Sequence, residues 1–111
     1  MLRGLFGWQL VRVTGDSMVP ALDDGDFVIT RPGTPAVGDV VLARHPSLGL
    51  IIKRVRAANT DRTYALVGDN PISTSTTAIG PVPADRVQGV AVWSISPAGI
   101  VRLRRTADDS V

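Results

Sequence analysis

The stretch Leu50-Ile51-Ile52-Lys53-Arg54-Val55-Arg56 decides the fold class of this 111-residue chain. It is rich in β-branched residues, which fit the pleated surface of a strand. Similar stretches recur along the chain, and Gly, Pro, Asn and Asp separate them, as turns require. The predicted strands cover residues 10–13, 27–30, 39–44, 50–56, 64–67 and 87–95.

Glycine and proline are spread over the whole chain, which carries 11 and 8 of them, so long helices have little room. With 44% hydrophobic residues the chain can form a core. We therefore expect a mostly β fold, a coiled sheet or partly open barrel. Residues 1–111 should form one domain, with a short segment at 1–9 and a flexible tail at 104–111.

Composition excludes several classes of function. The chain has no cysteine and one histidine, so thiolate and histidine-rich metal sites are ruled out, and we expect no metal and no cofactor. A net charge of +2, with mostly scattered basic residues, does not favour nucleic acid as a partner.

No apolar run approaches the roughly 20 residues of a transmembrane helix, so no transmembrane anchor is expected. The first ten residues lack the continuous apolar segment and cleavage site of a signal peptide. We expect a cytoplasmic protein, in which Leu2, Leu5, Phe6 and Trp8 could rest on a membrane surface.

Lys53 stands on an apolar strand face. Because side chains alternate along a strand, Lys53 shares its face with Ile51 and Val55, whereas Arg54 and Arg56 point to the other face. Burial would lower the lysine pKa from its usual value of about 10.4, and a neutral amine can accept a proton from a hydroxyl. The alternative is an edge lysine whose ammonium reaches water.

A hydroxyl that could use such a base occurs in Thr14-Gly15-Asp16-Ser17-Met18-Val19-Pro20, between two predicted strands. A turn can expose Ser17 while nearby backbone N–H groups point towards an oxyanion. A serine in a turn also occurs for purely structural reasons. The pairing with Lys53 favours a serine protease with Ser17 as nucleophile and Lys53 as general base.

Two other catalytic arrangements are conceivable. A histidine-dependent triad would have to use His45, which directly precedes Pro46 in a predicted turn. An acid–base couple could pair Asp16 with Asp39 or Asp69, although acidic residues in turns commonly serve the turn itself.

Four ordered blocks between residues 13 and 93 resemble the signal peptidase I family of Ser/Lys proteases. They are Thr14-Gly15-Asp16-Ser17-Met18-Val19-Pro20-Ala21-Leu22 with Gly25-Asp26; Val37-Gly38-Asp39-Val40-Val41; Ile52-Lys53-Arg54-Val55; and Gly68-Asp69-Asn70 with Gly80-Pro81-Val82-Pro83 and Val87-Gln88-Gly89. The resemblance implies a signal peptidase/LexA-like β fold and a substrate groove beside Met18 and Pro20.

Within that family, Arg44-His45-Pro46 and Gly68-Asp69-Asn70-Pro71 resemble the nickel-type superoxide dismutase maturation proteases. The substrate implied is the amino-terminal extension of a nickel superoxide dismutase precursor. The protease itself would need no metal.

The sequence departs from the family pattern at two places. Gly15 replaces a Ser or Thr that often donates to the oxyanion, so this role would fall to backbone N–H groups, chiefly that of Ser17. The segment after Asn70 lacks the usual Ser-x-Asp-Ser-Arg run, so the hydroxyl that orients Lys53 is one of Ser73, Thr74 and Ser75.

Two rival functions remain at this point. The segment Gly15-Asp16-Ser17-Met18 also resembles the nucleophile segment of LexA-type repressors, which cleave themselves. Those repressors carry a DNA-binding domain before the catalytic one and cut a bond that precedes it, whereas Ala98-Gly99 follows the catalytic segment here. The other rival is a non-catalytic β domain that binds peptides along a sheet edge.

Overall fold

The computed structural model describes residues 2–3, 7–71 and 79–105, with the backbone alone at residues 2–3. Strands account for most of this part of the chain. They are β1 (Leu2–Arg3), β2 (Gln9–Arg12), β3 (Phe27–Arg31), β4 (Val40–His45), β5 (Gly49–Ala58), β6 (Thr63–Val67), β7 (Pro81–Pro83), β8 (Val87–Ser96) and β9 (Gly99–Arg102), and a 3-10 turn covers Ala84–Arg86.

All the strand pairs are antiparallel and form one sheet in the order β1-β2-β3-β8-β4-β5-β6-β7, with β9 paired to β8. The order has two free ends, so the sheet is open. The predicted mostly β fold is confirmed, and its sheet is not closed. Among the described residues, no helix is long and apolar enough to cross a bilayer.

Every predicted strand is present, and its ends differ from the prediction by a few residues at most. The structure also contains the short strands β1, β7 and β9, which were not predicted. β7 begins and ends with proline and lies at the end of the sheet order, where a missing N–H costs no ladder hydrogen bond. Its sequence therefore looked like part of a loop.

Two hydrophobic cores flank β4. Val41 and Ala43 pack into the first core, whereas Val40 and Leu42 pack into the second, because neighbouring strand residues point to opposite faces. The first core also holds Val55, Tyr64, Leu66, Ile79, Val82, Val90 and Val92. The second also holds Val11, Val13, Met18, Leu22, Val28 and Ala91.

β8 joins the two halves of the sheet. Val90 and Ala91 pair with β3 on one side and with β4 on the other. Gly89 permits this close packing, since an added Cβ would lie 3.0 Å from the Arg31 carbonyl oxygen. In the second core, Met18 and Leu22 come from the loop that follows β2, and Ile52 of β5 packs against this core.

Candidate active site

The loop that carries Ser17 is anchored in the second core. Met18 and Leu22 are 1% and 0% exposed, and the Leu22 N–H donates to the Met18 carbonyl over 2.9 Å. The Val19 N–H donates to the Asp16 carbonyl over 3.2 Å. Ser17 itself is half-buried, so its hydroxyl lies on a fixed turn at the protein surface.

Three further hydrogen bonds hold this loop in place. The backbone N–H of Asn70 donates to the Ser17 carbonyl over 2.9 Å, and Nδ2 of Asn70 donates to the Asp16 carbonyl over 3.0 Å. The Gly15 N–H donates to Oδ1 of Asp24 over 2.8 Å. Gly15 has a φ of +87°, which is a conformation that favours glycine over Ser or Thr.

Lys53 lies on β5 opposite Val41 of β4, and it is 6% exposed. Within the described residues, no carboxylate lies at ion-pair distance from its ammonium. Burial lowers the pKa of Lys53, because the charged form loses its hydration without gaining a counter-charge. Its surroundings therefore favour the neutral amine.

Ser17 and Lys53 line the same cavity, which has a volume of about 260 Å³. Its walls combine polar and apolar surface and come from the end of β2, the Ser17 loop, β4 and the first half of β5. The other lining residues are Val11, Arg12, Val13, Thr14, Met18, Leu42, Leu50, Ile51 and Ile52. The cavity thus contains both a hydroxyl and a desolvated amine.

Arg54, the neighbour of Lys53, connects three segments of the chain. Its guanidinium forms a two-bond ion pair with Asp69 and donates to the carbonyls of Gly38, over 3.0 Å, and Arg104, over 3.3 Å. Asp69 directly precedes Asn70, which holds the Ser17 loop. The ion pair and Asn70 therefore link the lysine strand to the serine loop.

The sequence analysis did not predict that Arg54 and Asn70 link the lysine strand to the serine loop. Alternation placed Arg54 with Arg56 on one strand face, but Arg54 is 8% exposed and Arg56 is exposed. The signal available was the block Gly68-Asp69-Asn70, which the resemblance singled out without giving its residues a task.

The remaining predicted site residues have different placements. Met18 lines the cavity, whereas Gly15 and Pro20 are not among the lining residues. Ser73, Thr74 and Ser75 lie outside the described residues.

The alternative catalytic groups stand apart from this cavity. His45 Nδ1 accepts the N–H groups of Ser47 and Leu48, and Nε2 contacts the Ile79 carbonyl at 2.7 Å. Asp39 accepts from the Ala36 N–H and pairs with Arg105, which raises the pKa of that arginine. Neither His45 nor a carboxylate lines the cavity with Ser17.

The open antiparallel sheet is consistent with the β fold of the serine peptidases of the LexA and signal peptidase I type. Residues 7–92 match the Peptidase S24-like family, and the chain belongs to that family. The match includes Ser17, Lys53 and Asn70, and it bears out the broad part of the resemblance. A comparison with curated proteins returned no match.

Proposed function

We propose that this protein is a serine endopeptidase in which Ser17 is the nucleophile and Lys53 the general base. The observation that carries the proposal is the shared cavity, which is lined both by Ser17 on an anchored turn and by Lys53, whose pKa is lowered by burial. Membership of the Peptidase S24-like family supports serine peptidase activity independently.

In the first step, neutral Lys53 Nζ takes the Ser17 proton while Oγ bonds to the carbonyl carbon of the scissile peptide. Among the described residues, the Ser17 N–H has no acceptor, so it is free to donate to the oxyanion. When the C–N bond breaks, the Lys53 ammonium protonates the leaving amine. Water, deprotonated by the same amine, then hydrolyses the acyl-enzyme and regenerates Ser17.

β5 provides an edge for the substrate. Residues 49–53 pair with β4, whereas pairing with β6 begins at Arg54, so in the described part of the chain the first half of β5 has one free edge. That half of β5 also lines the cavity. An extended peptide that adds to this edge would place a backbone carbonyl beside Ser17.

For the substrate, we propose a cytoplasmic precursor from which an amino-terminal propeptide or leader is removed, in particular a nickel-type superoxide dismutase precursor. This choice rests on the sequence blocks at residues 44–46 and 68–71. The proposed reaction needs no metal and no cofactor, because the nucleophile, the base and an oxyanion donor are all supplied by the chain.

The test is mass spectrometry of the purified protein incubated with a nickel superoxide dismutase precursor or with a secretory signal-peptide substrate. Ser17→Ala and Lys53→Ala are run in parallel. We expect the parent protein to release the amino-terminal extension of the precursor and both variants to lose activity by roughly a thousandfold or more.

Other outcomes separate the rival functions. Cleavage of the signal peptide alone would move the substrate to the secretory branch, and fragments of the protein incubated by itself would indicate LexA-type self-cleavage. If nothing is cut but Ser17→Ala still binds a peptide, the domain is a binding module. Circular dichroism of each variant controls for folding.

A further inference from the structure

The sheet carries an apolar face that belongs to neither core. Residues directly opposite each other in an antiparallel pair share a face, and register pairs Leu10 with Ile29, Phe27 with Ile95, and Ile95 with Ile100. Trp93 pairs with Ile29 and completes the set. We call Leu10, Phe27, Ile29, Trp93, Ile95 and Ile100 the outer face. None of them is part of either hydrophobic core.

Several large apolar side chains of the outer face are exposed to solvent. Phe27 is 40% exposed, Trp93 36% and Ile100 66%. Exposed apolar residues that stand singly are ordinary, but a contiguous patch with aromatic side chains marks a contact surface. This patch spans neighbouring strands, β2, β3, β8 and β9, and so forms one continuous surface.

Among the described strand residues, the charged side chains that register places on the outer face are all positive. Arg12 pairs with Phe27, and Arg102 pairs with Trp93, so register places both arginines on this face. The Arg102 guanidinium lies over the Trp93 ring, 5.4 Å from its centroid. No Asp or Glu occupies a described strand position that register assigns to the outer face. The complementary surface is therefore apolar and anionic.

We propose that the outer face docks on the surface of a lipid bilayer that contains anionic headgroups. Tryptophan suits the boundary between headgroups and acyl chains, and arginine stems can lie along apolar surface while their guanidinium groups reach phosphates. Each basic side chain close to an anionic leaflet strengthens binding by about fivefold. A symmetric second copy fits less well, because the cations of both copies would meet without a carboxylate.

Docking in this way would set the orientation of the cavity. Arg12 lies on the outer face and also lines the cavity that contains Ser17 and Lys53. The wall of the cavity at Arg12 would therefore lie next to the bilayer when the outer face is bound. This inference concerns where the protein binds, and it holds whether or not Ser17 and Lys53 cut peptides.

The first measurement is flotation with vesicles of phosphatidylcholine alone and of phosphatidylcholine mixed in equal parts with phosphatidylglycerol. The chain has two tryptophans, so Trp8→Phe leaves Trp93 as the fluorescent probe. We expect binding that is about tenfold or more stronger on the anionic vesicles, weakens with salt, and shifts Trp93 emission to the blue.

Single substitutions test whether the outer face is the surface that binds the vesicles. Ile100→Glu should weaken binding by about tenfold or more, since it loses apolar burial and adds repulsion, and Arg102→Gln by about fivefold. Leu48→Glu is the matched control, because Leu48 is 49% exposed and lies in the turn after β4, away from the outer face. Its binding should equal that of the parent.

Three results would overturn the proposal. One is the absence of binding to either vesicle, and another is an equal loss in Leu48→Glu and Ile100→Glu. The third is a dimer in analytical ultracentrifugation that Ile100→Glu dissociates while vesicles remain unbound, which would make a second copy the occupant. Thermal unfolding of each variant verifies that the fold is intact.

Discussion

Lys53 differs from most buried charged residues, because no described residue supplies it with a counter-charge. Arg54, its neighbour, is buried to a similar extent but is paired with Asp69. The two side chains therefore have opposite roles: Arg54 keeps its charge and holds segments together, whereas Lys53 is pushed towards the neutral amine. The absence of a carboxylate near Lys53, within the described residues, is what suits it to accept a proton.

The lowered pKa of Lys53 predicts how peptide cleavage depends on pH. Burial lowers the pKa of Lys53, and only its neutral form can accept the Ser17 proton, so activity should rise with pH and reach half its maximum below the usual lysine value of about 10.4. Below that midpoint kcat/KM should increase about tenfold per pH unit. The measurement is peptide cleavage from pH 5 to pH 10.

Lys53→Arg provides the control for this profile. A guanidinium stays protonated over the whole range, so the variant should be inactive at every pH. A parent profile that is flat down to pH 5 would contradict a lysine base.

At the scale of elements, Asn70 joins the loop before β7 to the Ser17 turn. Its side-chain Nδ2 donates to the Asp16 carbonyl and its backbone N–H donates to the Ser17 carbonyl, which fixes the direction of the turn next to the nucleophile. Small displacements of a reacting group cost much more in rate than the contact costs in stability.

Asn70→Ala keeps the backbone bond to the Ser17 carbonyl and removes the side-chain bond to the Asp16 carbonyl, so it should lower kcat by about tenfold or more with little change in KM, while the free energy of unfolding falls by about 1 kcal/mol. Steady-state kinetics and urea unfolding of the same samples provide both numbers. Asn70 is a positioning residue, and the separation of kcat from stability is the readout that distinguishes this role.

Asn59→Ala is the matched control for this effect. The Asn59 amide donates to Thr63 Oγ1 over 2.9 Å at an exposed site, and neither residue lines the cavity. Asn59→Ala should leave kcat unchanged. Equal kcat values for the two variants would refute the positioning role of Asn70.

At the scale of the whole molecule, the Arg54–Asp69 ion pair connects parts of the chain that are far apart in sequence. Arg54 also donates to the carbonyls of Gly38 and Arg104, the second of which belongs to the segment expected to be a tail. The side chains of Arg54 and Asp69 are 10% and 19% exposed. Removal of one partner would leave the other charge desolvated and unpaired.

Asp69→Ala should thus destabilise the protein by about 3 kcal/mol, measured by urea unfolding. Arg105→Ala is the comparison, because the Arg105 side chain is 56% exposed in its ion pair with Asp39 and should contribute little. A variant with both Arg54→Met and Asp69→Leu should recover part of the loss. If Asp69→Ala and Arg105→Ala are equally stable, the bridging role is wrong.

Features that depend on local sequence could be predicted, whereas features that depend on contacts between distant residues could not. Strand positions and the candidates Ser17 and Lys53 follow from local patterns of a few residues, and the strands are confirmed. The contact between Asn70 and Asp16 joins residues 54 apart in sequence, and the burial of Arg54 depends on Asp69, so no local pattern contains either. The insertion of β8 between β3 and β4 is likewise a long-range pairing, which strand propensity does not specify.

The position of β8 has a consequence for synthesis of the protein. In the sheet, β3 and β4 are connected only through β8, which covers Val87–Ser96, whereas Ser17 and Lys53 leave the ribosome much earlier. Pairing between strands that are far apart in sequence is slow, and it cannot be completed before the last strand has been synthesised. A nascent chain therefore keeps the hydroxyl and the amine in separate halves of an unfinished sheet. The proposed site of Ser17 and Lys53 would therefore be complete only after β8 has emerged.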